Sequence, residues 1–145
     1  MRDRVPTYIH LLRAKDLIDR DYARGLDVPA LARTAHASTA HFSRSFKRAF
    51  GETPHQYLLR RRIERAKDLL RGSPLSVTEV SGAVGFRSLG SFSTAFRGLV
   101  GDSPSDYARR WRAAGVPPIP ACFMLMYTRP AGLSSSREAA PRERA

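Results

Sequence analysis

The sequence is poor in almost everything that redox, metal or membrane chemistry would require. Its 145 residues include one cysteine, Cys122, so neither a disulfide framework nor a cysteine-cluster zinc site can form within the chain. No run approaches the ~18–20 apolar residues that a bilayer span needs. Met1 to Thr7 lead into an amphipathic stretch instead of the apolar core of a signal peptide, so a soluble, cytoplasmic protein is expected, with no membrane partner. The four histidines, His10, His36, His41 and His55, are scattered. His36 and His41, five apart, do not share a helix face, and no Ser/His/acid or Cys/His arrangement or glycine-rich phosphate loop accompanies them. Neither catalysis nor a metal or cofactor is expected.

Acidic residues and lysine are also scarce. Thirteen Asp+Glu face 25 Lys+Arg, three of them lysines and 22 arginines, giving a net charge of +12 and a pI near 11.1. Such an excess calls for a polyanionic partner, nucleic acid or an anionic membrane surface. The planar arginine fork suits phosphate and guanine, although a GC-rich genome also favours arginine codons. A hydrophobic fraction of 42% is ordinary and allows a modest core.

No segment shows strand alternation, and the apolar spacing predicts about seven helices. Ile9, Leu12, Leu17, Ile18 and Tyr22 mark the first, over Thr7 to Arg24. Asp27 caps a short second helix whose buried side carries Leu31 and Ala35. After the turn His36-Ala37-Ser38, Ser38 caps a third that runs to Phe50. Thr53-Pro54 opens a long fourth, about 54–71, stopping at Gly72. Ser76 and Glu79 form a capping box for the fifth, which stops near Gly85. Ser88 caps the sixth, and Ser103-Pro104 opens the seventh, to about Arg112. The prolines of 116–120 exclude regular helix. The chain thus divides into a lead (1–6), a helical body (7–112), a Pro-containing apolar extension (113–132) and a tail (133–145) of disordered composition.

The body is a duplication. Phe42, Ser43, Phe46, Gly51, Pro54, Tyr57, Arg60 and Arg62 recur fifty residues on as Phe92, Ser93, Phe96, Gly101, Pro104, Tyr107, Arg110 and Arg112. Upstream of the turn the offset is forty-nine, pairing Leu26, Val28 and Leu31 with Leu75, Val77 and Val80. One residue is therefore gained in Gly85-Phe86-Arg87-Ser88 against His36-Ala37-Ser38. Two helix pairs joined by tight turns read as a tandem helix-turn-helix, the first over about 27–50 and the second over about 76–100.

On a wheel of ~100° per residue, Phe42, Phe46, Ala49 and Phe50 form the core side of helix three. Ala40, Ser43, Arg44 and Lys47 face outward, a stripe narrow and basic enough for a major groove. Helix six places Phe92, Phe96 and Leu99 inside and Gly90, Ser93, Thr94 and Arg97 outside, with fewer long donors. The fourth helix, ~27 Å at ~1.5 Å per residue, spaces the two units. Its Arg60, Arg61 and Arg65 suit phosphate contacts, with an ordinary solvated basic face as the alternative. Arg62 and Arg112, at the same repeat position, suggest a structural role or an intramolecular pair.

The run Ser38-Thr-Ala-His-Phe-Ser-Arg-Ser-Phe-Lys-Arg-Ala-Phe-Gly-Glu-Thr-Pro-His-Gln-Tyr57, followed by Arg62-Ile-Glu-Arg-Ala-Lys-Asp-Leu-Leu70, resembles AraC/XylS-type regulators. So does Val80 to Tyr107, with Gly85-Phe86 and the spaced Ser88, Phe92, Phe96, Gly101 and Ser103-Pro104; the likeness covers roughly residues 8–112. It implies an all-α fold of two helix-turn-helix subdomains on a long linker helix, and a transcription factor, most often an activator, bound to double-stranded DNA. Carried across by position, the base readers are Ala40, Ser43 and Arg44, then Gly90, Ser91 and Thr94, with Ser38 and Ser88 at the phosphates. Ala40 and Gly90 lack a hydrogen-bonding side chain and Thr94 is short, so contact through helix six is expected to be weaker or mainly to phosphate. With few residues before helix one, the chain resembles minimal single-domain members: a monomer, nucleoid-associated when bound, without a small-molecule effector. The run 121–127 either folds back on the body or contacts another subunit or RNA polymerase. A nucleoid-type protein attracted by charge alone is the alternative function.

Overall fold

The computed structural model describes residues 6–115, and within them the chain is all-α. In chain order the helices are α1 (Tyr8–Asp21), α2 (Val28–Thr34), α3 (Thr39–Phe50), α4 (Pro54–Gly72), α5 (Val77–Ala83), α6 (Leu89–Val100) and α7 (Pro104–Ala113). The readings made on 1–5 and 116–145 lie outside the described residues.

Local chemistry sets most of these boundaries. Asp27, Ser38, Thr53, Ser76, Ser88 and Ser103 each accept a backbone N–H three residues on, satisfying donors that a helix start leaves open. Thr53–Gln56 and Ser76–Glu79 are full capping boxes, the third helix residue's side chain reaching back to the cap N–H at 3.0 and 2.7 Å. Accepting that bond also holds the Glu79 carboxyl below the usual carboxylate range. Two boundaries differ from expectation. The first helix ends at Asp21 instead of Arg24, and α5 stops at Ala83, two residues before Gly85.

The helices pack as two units with separate cores. The first gathers Leu11, Ala14, Ile18, Leu31, Ala35, Phe42 and Phe46 with Tyr57 and Leu58. The second gathers Ile63, Ala66, Leu69 and Leu70 with Val80, Val84, Phe92, Phe96, Tyr107 and Ala108. The start of α4, as far as Leu58, therefore belongs to one core and the part from Ile63 onward to the other. Between Leu58 and Ile63 lies Arg62, 9% exposed and charged by nature. Within each core the phenylalanines stack edge-on or tilted, Phe42 and Phe46 with centroids 5.7 Å apart and Phe92 and Phe96 likewise at 5.7 Å.

Two core assignments need correction. Ala49 is exposed, and so is Leu99, at 55%. Both sit in the last turn of their helices, where Phe50 and Val100, one residue on, pack against the cores in their place.

Candidate nucleic-acid interface

Each unit builds its outward helix the same way. The helix before it ends in a Schellman turn: His36 N donates to Arg33 O and Ala37 N to Ala32 O, and Gly85 N donates to Gly82 O and Phe86 N to Ser81 O. The residue at the left-handed position is His36 (φ 56°) in one turn and Gly85 (φ 95°) in the other. Ser38 follows the first turn directly, whereas Arg87 intervenes before Ser88, so Arg87 is the residue gained. Both turns deliver the next helix with its phenylalanines inward, and burial along Phe42–Phe50 repeats residue for residue along Phe92–Val100.

On α3, Ala40, Arg44 and Lys47 are exposed and Ser43 is half-buried. On α6, Gly90, Ser91, Thr94 and Arg97 are exposed and Ser93 is half-buried. Arg48, which the sequence reading left out, joins the α3 stripe, exposed one turn beyond Arg44; its place four residues on from Arg44 is the signal that could have found it. No ion pair engages Arg44, Lys47, Arg48, Arg87 or Arg97 among the described residues. Fixed capping bonds occupy the two serines that open these helices. Ser38 Oγ accepts from His41 N at 3.3 Å, and Ser88 Oγ accepts from Ser91 N at 3.1 Å and donates to Ser91 Oγ at 2.8 Å.

The arginines of α4 are placed otherwise. Arg60 donates to Glu52 at 2.7 Å and to Glu64 at 2.8 Å, and its bond to Glu52 pushes the guanidinium pKa up. The same pair recurs in the second unit as Arg110 on Asp102, so the Arg60/Arg110 repeat is a repeated brace across the turn after the outward helix. Arg61 meets Asp19 at 3.0 Å and Glu64 at 3.3 Å, and Arg65 meets Asp68 at 3.7 Å. Asp19 also accepts from Tyr57 Oη at 2.6 Å, tying α1 to the start of α4. Burial, and then this bond, raises the Tyr57 hydroxyl pKa.

Arg62 and Arg112 have the structural role that their repetition suggests. Arg62 donates from Nε to Tyr22 O at 2.7 Å and from Nη2 to Arg24 O at 3.0 Å. Arg112 Nη2 reaches Leu75 O at 3.1 Å and Ser73 O at 3.4 Å. Each holds the segment that enters its unit's first short helix. Burial pushes the Arg62 pKa down. An open cleft of about 850 Å³ lies between the units beside α6, with Leu26, His55, Arg62, Phe86 and Thr94 in its wall. Among the described residues no helix is long and apolar enough to cross a membrane, and no cluster of side chains could hold a metal ion.

The arrangement is therefore two protruding helices in equivalent settings, one rich in uncommitted cations. A helix-turn-helix domain family matches residues 31–110. The probable transcriptional regulator LumQ of Photobacterium leiognathi is 34% identical over 99 residues, covering 68% of this chain and 40% of that protein. A putative AraC-like transcription regulator of Streptomyces lividans is 36% identical over 92 residues, covering 63% of this chain and 30% of that protein. The chain thus spans well under half the length of these relatives. Among solved structures, the DNA-binding domain of the global transcriptional factor AdpA in complex with a target DNA superposes with a TM-score of 0.68 at 35% identity, covering 72% of this chain and 94% of that one. The C-terminal domain of AraT, a response regulator from Geobacillus stearothermophilus, does so with a TM-score of 0.67 at 28% identity, covering 74% and 88%.

Proposed function

The chain belongs to the AraC-type helix-turn-helix family, and from that premise we propose that it is a sequence-specific transcription regulator inserting α3 and α6 into successive major grooves of one duplex. The observation that carries this is the equivalence of the two outward helices. Their burial repeats, their turns repeat, and α4 spans about 28 Å at 1.5 Å per residue, a fit to grooves ~34 Å apart. Family likeness favours activation, with RNA polymerase as the partner that activation requires. A single copy carries both readers, so a monomer suffices.

In this reading Arg44 is the principal base reader, with Ala40 and Ser43 lining its approach and Lys47 and Arg48 on base edges or phosphates. On α6 Gly90 lets the duplex come close, Ser91, Ser93 and Thr94 make short polar contacts, and Arg97 reaches furthest. Ser38 and Ser88 place helix N-termini against phosphates. Arg60, Arg61 and Arg65 add to phosphate binding by exchanging carboxylate partners, and so rank behind the exposed cations.

The experiment is selection of preferred duplexes from a randomised pool, then affinity measurements with Arg44→Ala. The selected site should lose about 1–3 kcal/mol while random DNA loses little. An equal loss on both removes Arg44 as a base reader. Failure of the pool to enrich any sequence, at any salt concentration, favours charge-driven, low-specificity binding instead.

A further inference from the structure

The two cores share no side chain, so what fixes one unit against the other is limited to α4 and whatever crosses beside it. Among the described residues, two contacts meet on one short stretch of backbone, Tyr22 to Arg24. From α4, Arg62 clamps the Tyr22 and Arg24 carbonyls and lays its guanidinium 5.7 Å from the ring centroid of Phe86, a residue of the second unit's turn. From that turn, Gly85 approaches so closely that a Cβ there would lie 2.9 Å from Tyr22 O and 2.9 Å from Ala23 O. Both obstacles are backbone oxygens, so no rotamer change relieves the clash.

The repeat supplies an internal control. His36 occupies the equivalent position, with the same left-handed backbone and the same two Schellman bonds, and carries a full imidazole that lies edge-on to His10 at 5.1 Å. The turn therefore accepts a side chain at φ 56°, whereas Gly85, at φ 95°, lies where any side chain is strained. To that local demand the neighbouring unit adds its own, the carbonyls of Tyr22 and Ala23. Arg112 likewise holds its own segment as Arg62 does, through Ser73 and Leu75.

We propose that Gly85 and Arg62 form a joint that presets the spacing and angle between α3 and α6, so that two residues without DNA contact determine which separation of half-sites the protein accepts. This inference rests on the tandem-reader function above. Its physical basis is preorganisation. A rigid joint lets both helices engage without a further ordering cost when the half-sites match, and it penalises every other separation. With the joint loosened, either unit docks alone, at lower affinity and with broad tolerance.

The test uses the full chain with Cys122→Ser and spin labels on Arg33→Cys and Thr78→Cys, exposed positions on α2 and α5. The distance distribution is measured without DNA. Affinity is then measured on the selected duplex and on versions with base pairs inserted or removed between its halves. With wild-type joint residues, a narrow distance peak and a steep fall in affinity away from one spacing are expected. Gly85→Ala should widen or shift the peak, flatten the spacing profile, and weaken the best duplex roughly tenfold, about the effect of one mismatched base pair. Arg62→Lys keeps the charge but replaces the planar fork by a single ammonium, and so loses the two-pronged clamp on Tyr22 O and Arg24 O. It should act in the same direction, and it carries the test if Gly85→Ala does not reach wild-type helicity. His36→Gly should leave both readouts unchanged. Folded Gly85→Ala and Arg62→Lys proteins with wild-type peak width and spacing profile overturn the proposal. If the wild type shows no spacing preference, it is the tandem-reader function that fails, and the DNA-free distances still judge the joint.

Discussion

At position 48 the chain has arginine and at the equivalent position 98 glycine; at 44 and 94 it has arginine and threonine. These two differences concentrate the long donors on α3, where Arg44, Lys47 and Arg48 stand free of the carboxylates that engage the arginines of α4. If an exposed cation releases one condensed counterion on meeting a phosphate, Arg48→Ala should lower the slope of log affinity against log salt by about one. Arg60→Ala should lower it less, because Glu52 and Glu64 already neutralise that guanidinium; a salt titration of both variants checks the ranking. Arg48 was within reach of sequence reasoning, lying on the same wheel sector as Arg44. The role of Gly85 was not. Beyond its local φ of 95°, the demand on it comes from carbonyls about sixty positions earlier in the chain, and a wheel or a turn rule sees only neighbours.

Among the elements, α4 was the most legible, since Thr53, Pro54 and Gln56 write its start in local hydrogen-bond chemistry that any unfolded segment already contains. Thr53→Ala removes the acceptor for Gln56 N, and a loss of about 1 kcal/mol is expected in denaturant unfolding, with the midpoint lowered and the slope unchanged. The interior faces of α3 and α6 were legible through Phe42, Phe46, Phe92 and Phe96, because aromatic residues four apart have few other places to go. Their last turns were not, as Ala49 and Leu99 show. Periodicity gives direction around an axis, and in those turns Phe50 and Val100 meet the cores where the wheel favoured Ala49 and Leu99.

For the molecule as a whole, the question is whether two cores behave as one. They share α4, and a helix of this length is marginal in water without tertiary support along it. Losing one core therefore leaves part of α4 unsupported in the other. Trp111, the single tryptophan, packs against Tyr107 and under Arg71 in the second unit. Its fluorescence reports that unit, whereas far-ultraviolet circular dichroism reports both. The two signals should give coincident unfolding transitions. Phe46→Ala, in the first core, should cost about 3–5 kcal/mol and shift the Trp111 transition as much as the dichroism. A tryptophan transition left at its wild-type midpoint would show the units to be independent.

The contrast between His36 and Gly85 bears on how a duplicated domain ages. When two copies of one motif are joined in tandem, positions that began alike come under different rules, according to whether they face open water or the twin. The open copy can drift, trading one residue for another at little cost. The copy on the seam loses that liberty, because each exchange there must be accepted by both halves at once. The asymmetry between the two readers is thus accompanied by an asymmetry in what further change each will tolerate.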